Sequence, residues 1–200
     1  IQGLFLTSGR INSNYGGGVL IASDGITIKN CTFYNCKALY GGAIFINGNN
    51  IAIDDCEFRS NTALDNAKIT RGGAIYINGG FSNILVNNSR FGVNGYNRGD
   101  NGGAVFMSSS AVFNNSIFSN NIADDNGGAF YVTNAASNSV FDNCIFNNNA
   151  AYGSYSAVTG GGAMAIYGTS NKIINSQFNK NWVGDNGGAL VVYRSNNEII

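Results

Sequence analysis

The sequence predicts an all-β chain wound into a single-stranded parallel β-helix, a solenoid of about seven rungs. Three observations predict it. A Gly-Gly-small-apolar signature recurs along the whole chain, a Phe-x-x-Asn signature alternates with it, and the columns that flank both are uniformly apolar.

The first signature stands at Gly17-Gly18-Val19, Gly41-Gly42-Ala43, Gly72-Gly73-Ala74, Gly102-Gly103-Ala104, Gly127-Gly128-Ala129, Gly161-Gly162-Ala163 and Gly187-Gly188-Ala189. Its intervals are 24, 31, 30, 25, 34 and 26 residues. Periods in this range mark repeat architectures. The repeat covers residues 1–200, so the chain reads as one continuous module with both ends falling within a repeat.

The second signature reads Phe58…Asn61, Phe91…Asn94, Phe118…Asn121, Phe146…Asn149 and Phe178…Asn181, with Phe33…Cys36 and Ile11…Asn14 as variants. From Gly-Gly to the next Phe the spacing is 16, 17, 19, 16, 19 and 17 residues; from Phe to the next Gly-Gly it is 8, 14, 11, 9, 15 and 9. Insertion is therefore concentrated after Phe-x-x-Asn, with the longest segments at Ala63 to Thr70 and Ala150 to Thr159. Insertions in repeat proteins gather on one side, often the binding side.

Two residues before each Phe position lies a small-residue column: Gly9, Cys31, Cys56, Ser89, Ser116, Cys144, Ser176. Three before that column come Leu6, Ile28, Ile53, Val86, Phe113, Phe141 and Ile173, all apolar. Apolar stretches that alternate with Asn, Asp, Ser and Thr read as half-buried strands. After Gly-Gly, Leu20, Ile44, Ile75, Val105, Phe130, Met164 and Leu190 form one core column. Ala22, Ile46, Ile77, Met107, Val132, Ile166 and Val192 form a second. The two columns are two residues apart and share a strand face. Gly and Asn punctuate the chain too often for helices, and both tolerate left-handed turns. Pro, which removes a ladder hydrogen bond, is absent.

Composition narrows the function. Net charge is +0, which removes the basic surplus that nucleic acid or anionic membranes require. No His is present, so Ser-His and Cys-His nucleophile pairs are excluded. No apolar run is long enough to span a bilayer as a helix. Nothing calls for a cofactor or a metal.

The paired signatures, Gly-Gly-Ala-Ile with Phe-x-x-Asn, resemble the repeats of the chlamydial polymorphic outer membrane proteins and those of adhesin-like β-helix surface proteins of methanogenic archaea. The resemblance covers essentially the whole chain, with departures at Val19, Ile11 and Cys36. It implies a right-handed coil, an extracellular or cell-surface location, and an adhesive or structural role. It supplies no catalytic residues. The expectation is a non-enzymatic stalk, adhesin or fibril subunit. The alternative is a carbohydrate-active β-helix enzyme, a polysaccharide lyase or hydrolase.

The candidate sites are few. Between the two core columns stand Phe45, Tyr76, Phe106 and Tyr131, expected to face outward as an exposed aromatic stripe. Exposed apolar patches mark interaction sites. The expected partner is protein, through self-association or a neighbouring domain, or surface carbohydrate; head-to-tail or lateral assembly fits the coil. Asp100 and Asp125 precede consecutive Gly-Gly signatures, which would set their carboxyls side by side; turn chemistry explains them as well. Arg98-Gly99-Asp100 spells an integrin-type tripeptide. Glu57 and Arg90 share a column and are expected to pair. Cys31, Cys56 and Cys144 read as small buried residues, with Cys36 in the turn column; a Cys31–Cys56 disulfide stays open as an alternative. Asn30, Asn87 and Asn114 head N-glycosylation sequons.

Overall fold

The structure is a computed structural model that describes residues 1–12, 14–63, 69–153 and 160–200. Most of both insertion segments, 64–68 and 154–159, lies outside the described residues.

Each coil carries up to four short strands. In the coil that begins at Ile51 they are Ile51–Asp54, Glu57–Arg59, Thr62–Ala63 and Ile75–Ile77. Every strand pairs in parallel with its counterpart one coil on. Among the described residues this produces four parallel sheets, three of seven strands and one of six, with neighbours in coil order. We name them, along one coil, the entry sheet, the phenylalanine sheet, the short sheet and the Gly-Gly sheet.

The corners explain the abundance of Asn. Asn30, Asp55, Asn88, Asn115, Asn143 and Asn175 all have positive φ, between 50° and 52°, at the turn from entry sheet to phenylalanine sheet. Asn reaches this region more easily than other side-chain-bearing residues. The next residue turns inward and seals the corner. Ser89 Oγ donates to the Asn87 carbonyl at 2.7 Å, and Ser116 and Ser176 repeat the bond at 2.8 Å. The Cys31, Cys56 and Cys144 thiols take the same position. All four cysteines are buried and free.

A second inward column holds the next corner. Asn61, Asn97, Asn121 and Asn149 are fully buried. Each side-chain amide donates to a phenylalanine-strand carbonyl of the preceding coil, at Phe33, Phe58, Phe91 and Phe118. Each also donates to the Oδ1 of the next amide in the column, at 2.9–3.1 Å. Buried amides are tolerable only when satisfied in this way.

Between the corners the interior is a stack of rings. Phe33, Phe58, Phe91, Phe118, Phe146 and Phe178 lie 4.6–5.2 Å apart and within 14° of parallel. This matches the strand spacing of about 4.8 Å. Burying each ring stabilises the coil by about 1.5–3 kcal/mol. The predicted column Ile28, Ile53, Val86, Phe113, Phe141 and Ile173 is buried throughout.

The first coil departs from the prediction. Leu6 pairs with Phe33 and so belongs to the phenylalanine column, not to that of Ile28. Gly9 stands opposite Cys36 in the amide column, since Arg10 bridges Lys37, and Ile11 is 40% exposed. The Gly-Gly register here uses Gly16 and Gly17: Gly16 carries the positive φ that Gly41 carries one coil later. Val19 and Ile21 therefore align with Ile44 and Ile46, and Leu20 faces out, 52% exposed. Three consecutive glycines hid this one-residue offset, and a one-residue slip reverses every side chain of a strand. In the fourth phenylalanine strand the amide column is filled by Asn97, not Asn94, because the segment after Phe91 loops out and returns.

The two glycines of each pair act differently. At Gly103 a Cβ would strike the Gly128 carbonyl of the next coil, and the same clash recurs at Gly17, Gly42, Gly73, Gly128 and Gly162. Gly102 supplies the positive φ, 68°, that starts the strand.

Candidate functional site

The outer face of the Gly-Gly sheet holds the predicted stripe. Phe45, Tyr76, Phe106 and Tyr131 are in register on successive strands. Their centroids are 4.9, 5.0 and 5.2 Å apart and their planes within 7° of parallel. The stripe is less open than expected. Phe45 and Phe106 are each 5% exposed, and Tyr76 and Tyr131 are half-buried, because the rings cover one another and flanking residues cover the rest.

The ladder is also longer than the four residues in the sequence column. Tyr15 packs on Phe45 at 4.3 Å, and Tyr40 on Tyr76 at 5.5 Å. Tyr131 meets Tyr167 at 5.1 Å, which stacks on Tyr193 at 4.6 Å. Tyr15 and Tyr40 precede the Gly-Gly pair, whereas Tyr167 and Tyr193 follow the strand. The aromatic path thus crosses the face obliquely, from one wall through the floor to the other wall. Column-by-column reading missed these four because each column changes to another residue type part-way. Their rung-by-rung adjacency was the available signal.

Arg71 lies across the ladder. Its guanidinium sits 5.2 Å from the Phe106 centroid and 5.6 Å from that of Tyr40, within cation–π range. It borders two shallow hollows. One, of about 420 Å³, is floored by Phe45 and Tyr76 and walled by Tyr15, Tyr40, Asn47 and Asn78. The other, of about 380 Å³, lies over Phe106, Tyr131 and Tyr167 beside Asn101, Asp125 and Asn126. The amides form short ladders on opposite walls: Asn78 Nδ2 donates to Asn47 Oδ1 at 2.8 Å and Asn126 Nδ2 to Asn101 Oδ1 at 3.2 Å. Burial pushes the Tyr131 and Tyr167 hydroxyls above their usual range, with adjacent tyrosines adding to the effect at Tyr167. They are therefore neutral donors at physiological pH.

A bulge interrupts the register at the predicted acid pair. Asp100 and Asp125 do fall on consecutive strands, but the register shifts between Gly99 and Asn101, so one extra residue bulges out on the later strand. Asp100 Oδ2 accepts the Thr70 amide at 2.7 Å, and burial raises its carboxyl's pKa. Asp125 borders the second hollow instead. Arg98 is bound to Asp124 through Nη2 at 2.8 Å and Nε at 3.1 Å. With Arg98 so held and Gly99 and Asp100 buried, the Arg-Gly-Asp tripeptide is strand interior rather than a presented loop.

Glu57 and Arg90 are in register as expected, but the ion pair formed is Glu57 with Arg59, at 3.9 Å. Asn30 is exposed at its left-handed corner. Asn87 and Asn114 are half-buried, and the Asn114 amide nitrogen donates to Asn87 Oδ1 at 3.2 Å. Among the described residues no group of three or more Cys, Asp or Glu is arranged to hold a metal. No helix there is long and apolar enough to cross a membrane.

No curated protein matches the chain. The family model described as "right handed beta helix region" matches residues 10–200. With parallel sheets stacked coil upon coil over the same span, the chain belongs to the right-handed β-helix family.

Proposed function

We propose that this chain is a non-enzymatic adhesive module of an extracellular or cell-surface protein, holding surface carbohydrate on its aromatic face. One observation carries the reading. The aromatic ladder runs from Tyr15 to Tyr193 without a break, bordered by amide ladders. Rings with amide and hydroxyl donors around them suit a ligand that is apolar on its faces and polar at its edges, as sugars are.

The resemblance of the repeats to chlamydial polymorphic outer membrane proteins and methanogen adhesin-like proteins supports the surface location. Asn30 is the most accessible of the three sequons for a glycan of the protein's own.

Retention of the purified chain on immobilised polysaccharides and mucin-type glycans tests the reading. Tyr76→Ala with Tyr131→Ala should reduce retention at least tenfold, and Tyr34→Ala, on the phenylalanine sheet, should leave it unchanged. Equal retention of all three would sink the assignment of the face. Release of reducing ends or unsaturated products during incubation would favour the enzyme alternative.

A further inference from the structure

The two hollows differ in charge. Among the described residues the first has Arg71 as its single charged wall group, whereas the second is lined by both Arg71 and Asp125. Ion pairs between described residues form at Lys29–Asp54, Arg59–Glu57, Arg98–Asp124 and Lys172–Glu198. Arg71 is in none of them. It is held instead by the faces of Tyr40 and Phe106, which position a guanidinium without using its hydrogen-bond donors.

We propose that Arg71 makes the first hollow a receptor for one carboxylate borne by a sugar, so that the face selects an acidic sugar unit over a neutral one. The inference rests on the carbohydrate reading above. A guanidinium presents a planar fork that matches a carboxylate. The Asn47 and Asn78 amides and the Tyr15, Tyr40 and Tyr76 hydroxyls supply polar groups around a ring-sized floor. An acidic peptide strand is the weaker occupant. The backbone groups of Phe45, Tyr76 and Phe106 are consumed by coil-to-coil pairing, which leaves this face no open sheet edge to which a strand can add.

The test is titration calorimetry with a glucuronate-terminated trisaccharide and its methyl ester, which keeps the shape and removes the charge. The acid should bind the intact chain at least tenfold more tightly than the ester. Arg71→Gln should abolish the difference and Arg71→Lys should retain part of it, with circular dichroism confirming that both variants keep the fold. The preference should also shrink at high salt. Equal binding of acid and ester, no binding of either, or a preference that survives Arg71→Gln overturns the proposal. So does equal binding of a glutamate tripeptide. If the trisaccharide fails while polysaccharide retention still depends on Tyr76, the anion assignment falls and the adhesive reading stands.

Discussion

Asn97 Nδ2 donates to Asn121 Oδ1 at 2.9 Å, and Asn121 Nδ2 in turn donates to the Phe91 carbonyl at 3.1 Å, inside a fully buried column. The two residues are 24 apart in the chain, and their bond ties one coil to the next. Asn121→Ala removes the acceptor of one Asn97 amide N–H, whose other N–H still donates to the Phe58 carbonyl, and the side-chain donor to the Phe91 carbonyl. We expect a loss of about 2–4 kcal/mol, read by chemical denaturation. Asn94→Ala, at the exposed position that the motif spacing singles out, should change stability by less than about 1 kcal/mol beyond the cost of its left-handed φ of 61°.

Backbone space sets the second expectation. A Cβ at Gly103 meets backbone atoms of both Gly128 and Ile122, which no side-chain rearrangement relieves. Gly103→Ala should cost about 3–5 kcal/mol or prevent folding. Asn115 is a useful contrast, because its φ of 51° is tolerated by Gly. Asn115→Gly should be within about 0.5 kcal/mol of the parent, and Asn115→Val should lose about 1–2 kcal/mol or more. Melting temperatures that rank these three variants in another order would contradict the corner assignment.

Burial pushes the Cys56 and Cys144 thiols up from 9.0 to about 11. A thiol whose folded pKa is raised adds no penalty below its unfolded value. It removes stability as pH rises between the two values. Stability should therefore fall from about pH 9 to pH 11, and Cys56→Ser with Cys144→Ser should flatten that fall. At pH 8 a thiol-reactive chromophore should label neither residue until denaturant is added. Rapid labelling of the native chain at either position would show that the thiol is not buried.

Asp100 shifts in the same direction as the two thiols, but its pH window is the acidic one. Its carboxyl is raised chiefly by burial, so the folded state holds the proton more tightly than the unfolded chain. Stability contributed by the protonated form is present below the unfolded value, near pH 3.8, and declines as pH rises through the folded value. Asp100→Asn keeps an oxygen acceptor for the Thr70 amide and removes the buried charge. It should match or exceed the parent's stability at pH 7 and give no gain at pH 3, as measured by urea midpoints at both values.

Much of the fold was legible in the sequence because its signals are local and repeated. Ile44, Ile46 and Phe118 declare themselves by alternation, and Asn88 or Asn115 by the left-handed corner that few other residues accept. The register of the first coil is not legible there, because Gly16, Gly17 and Gly18 offer two registers that no local rule separates. Asn94 was chosen over Asn97 for a similar reason, since spacing within the motif cannot register a loop that leaves the wall and rejoins it. For the candidate site, the position of Phe45 between two core residues was enough to turn the ring outward. It was not enough to show that Tyr15, Tyr40, Tyr167 and Tyr193 extend the ladder, or that Arg71 lies over Phe106.

The sequence by itself determined that this chain coils: the Gly-Gly pairs, the inward apolar columns and the Asn corners each follow from chemistry within a few residues. The tertiary structure alone decided which columns meet. Contacts such as Arg71 with Phe106, Asn97 with Asn121 and Asp124 with Arg98 join residues 24 to 35 positions apart. They depend on the hydrogen-bond register between coils, which the loop after Phe91 and the bulge before Gly127 reset in ways that motif spacing does not record.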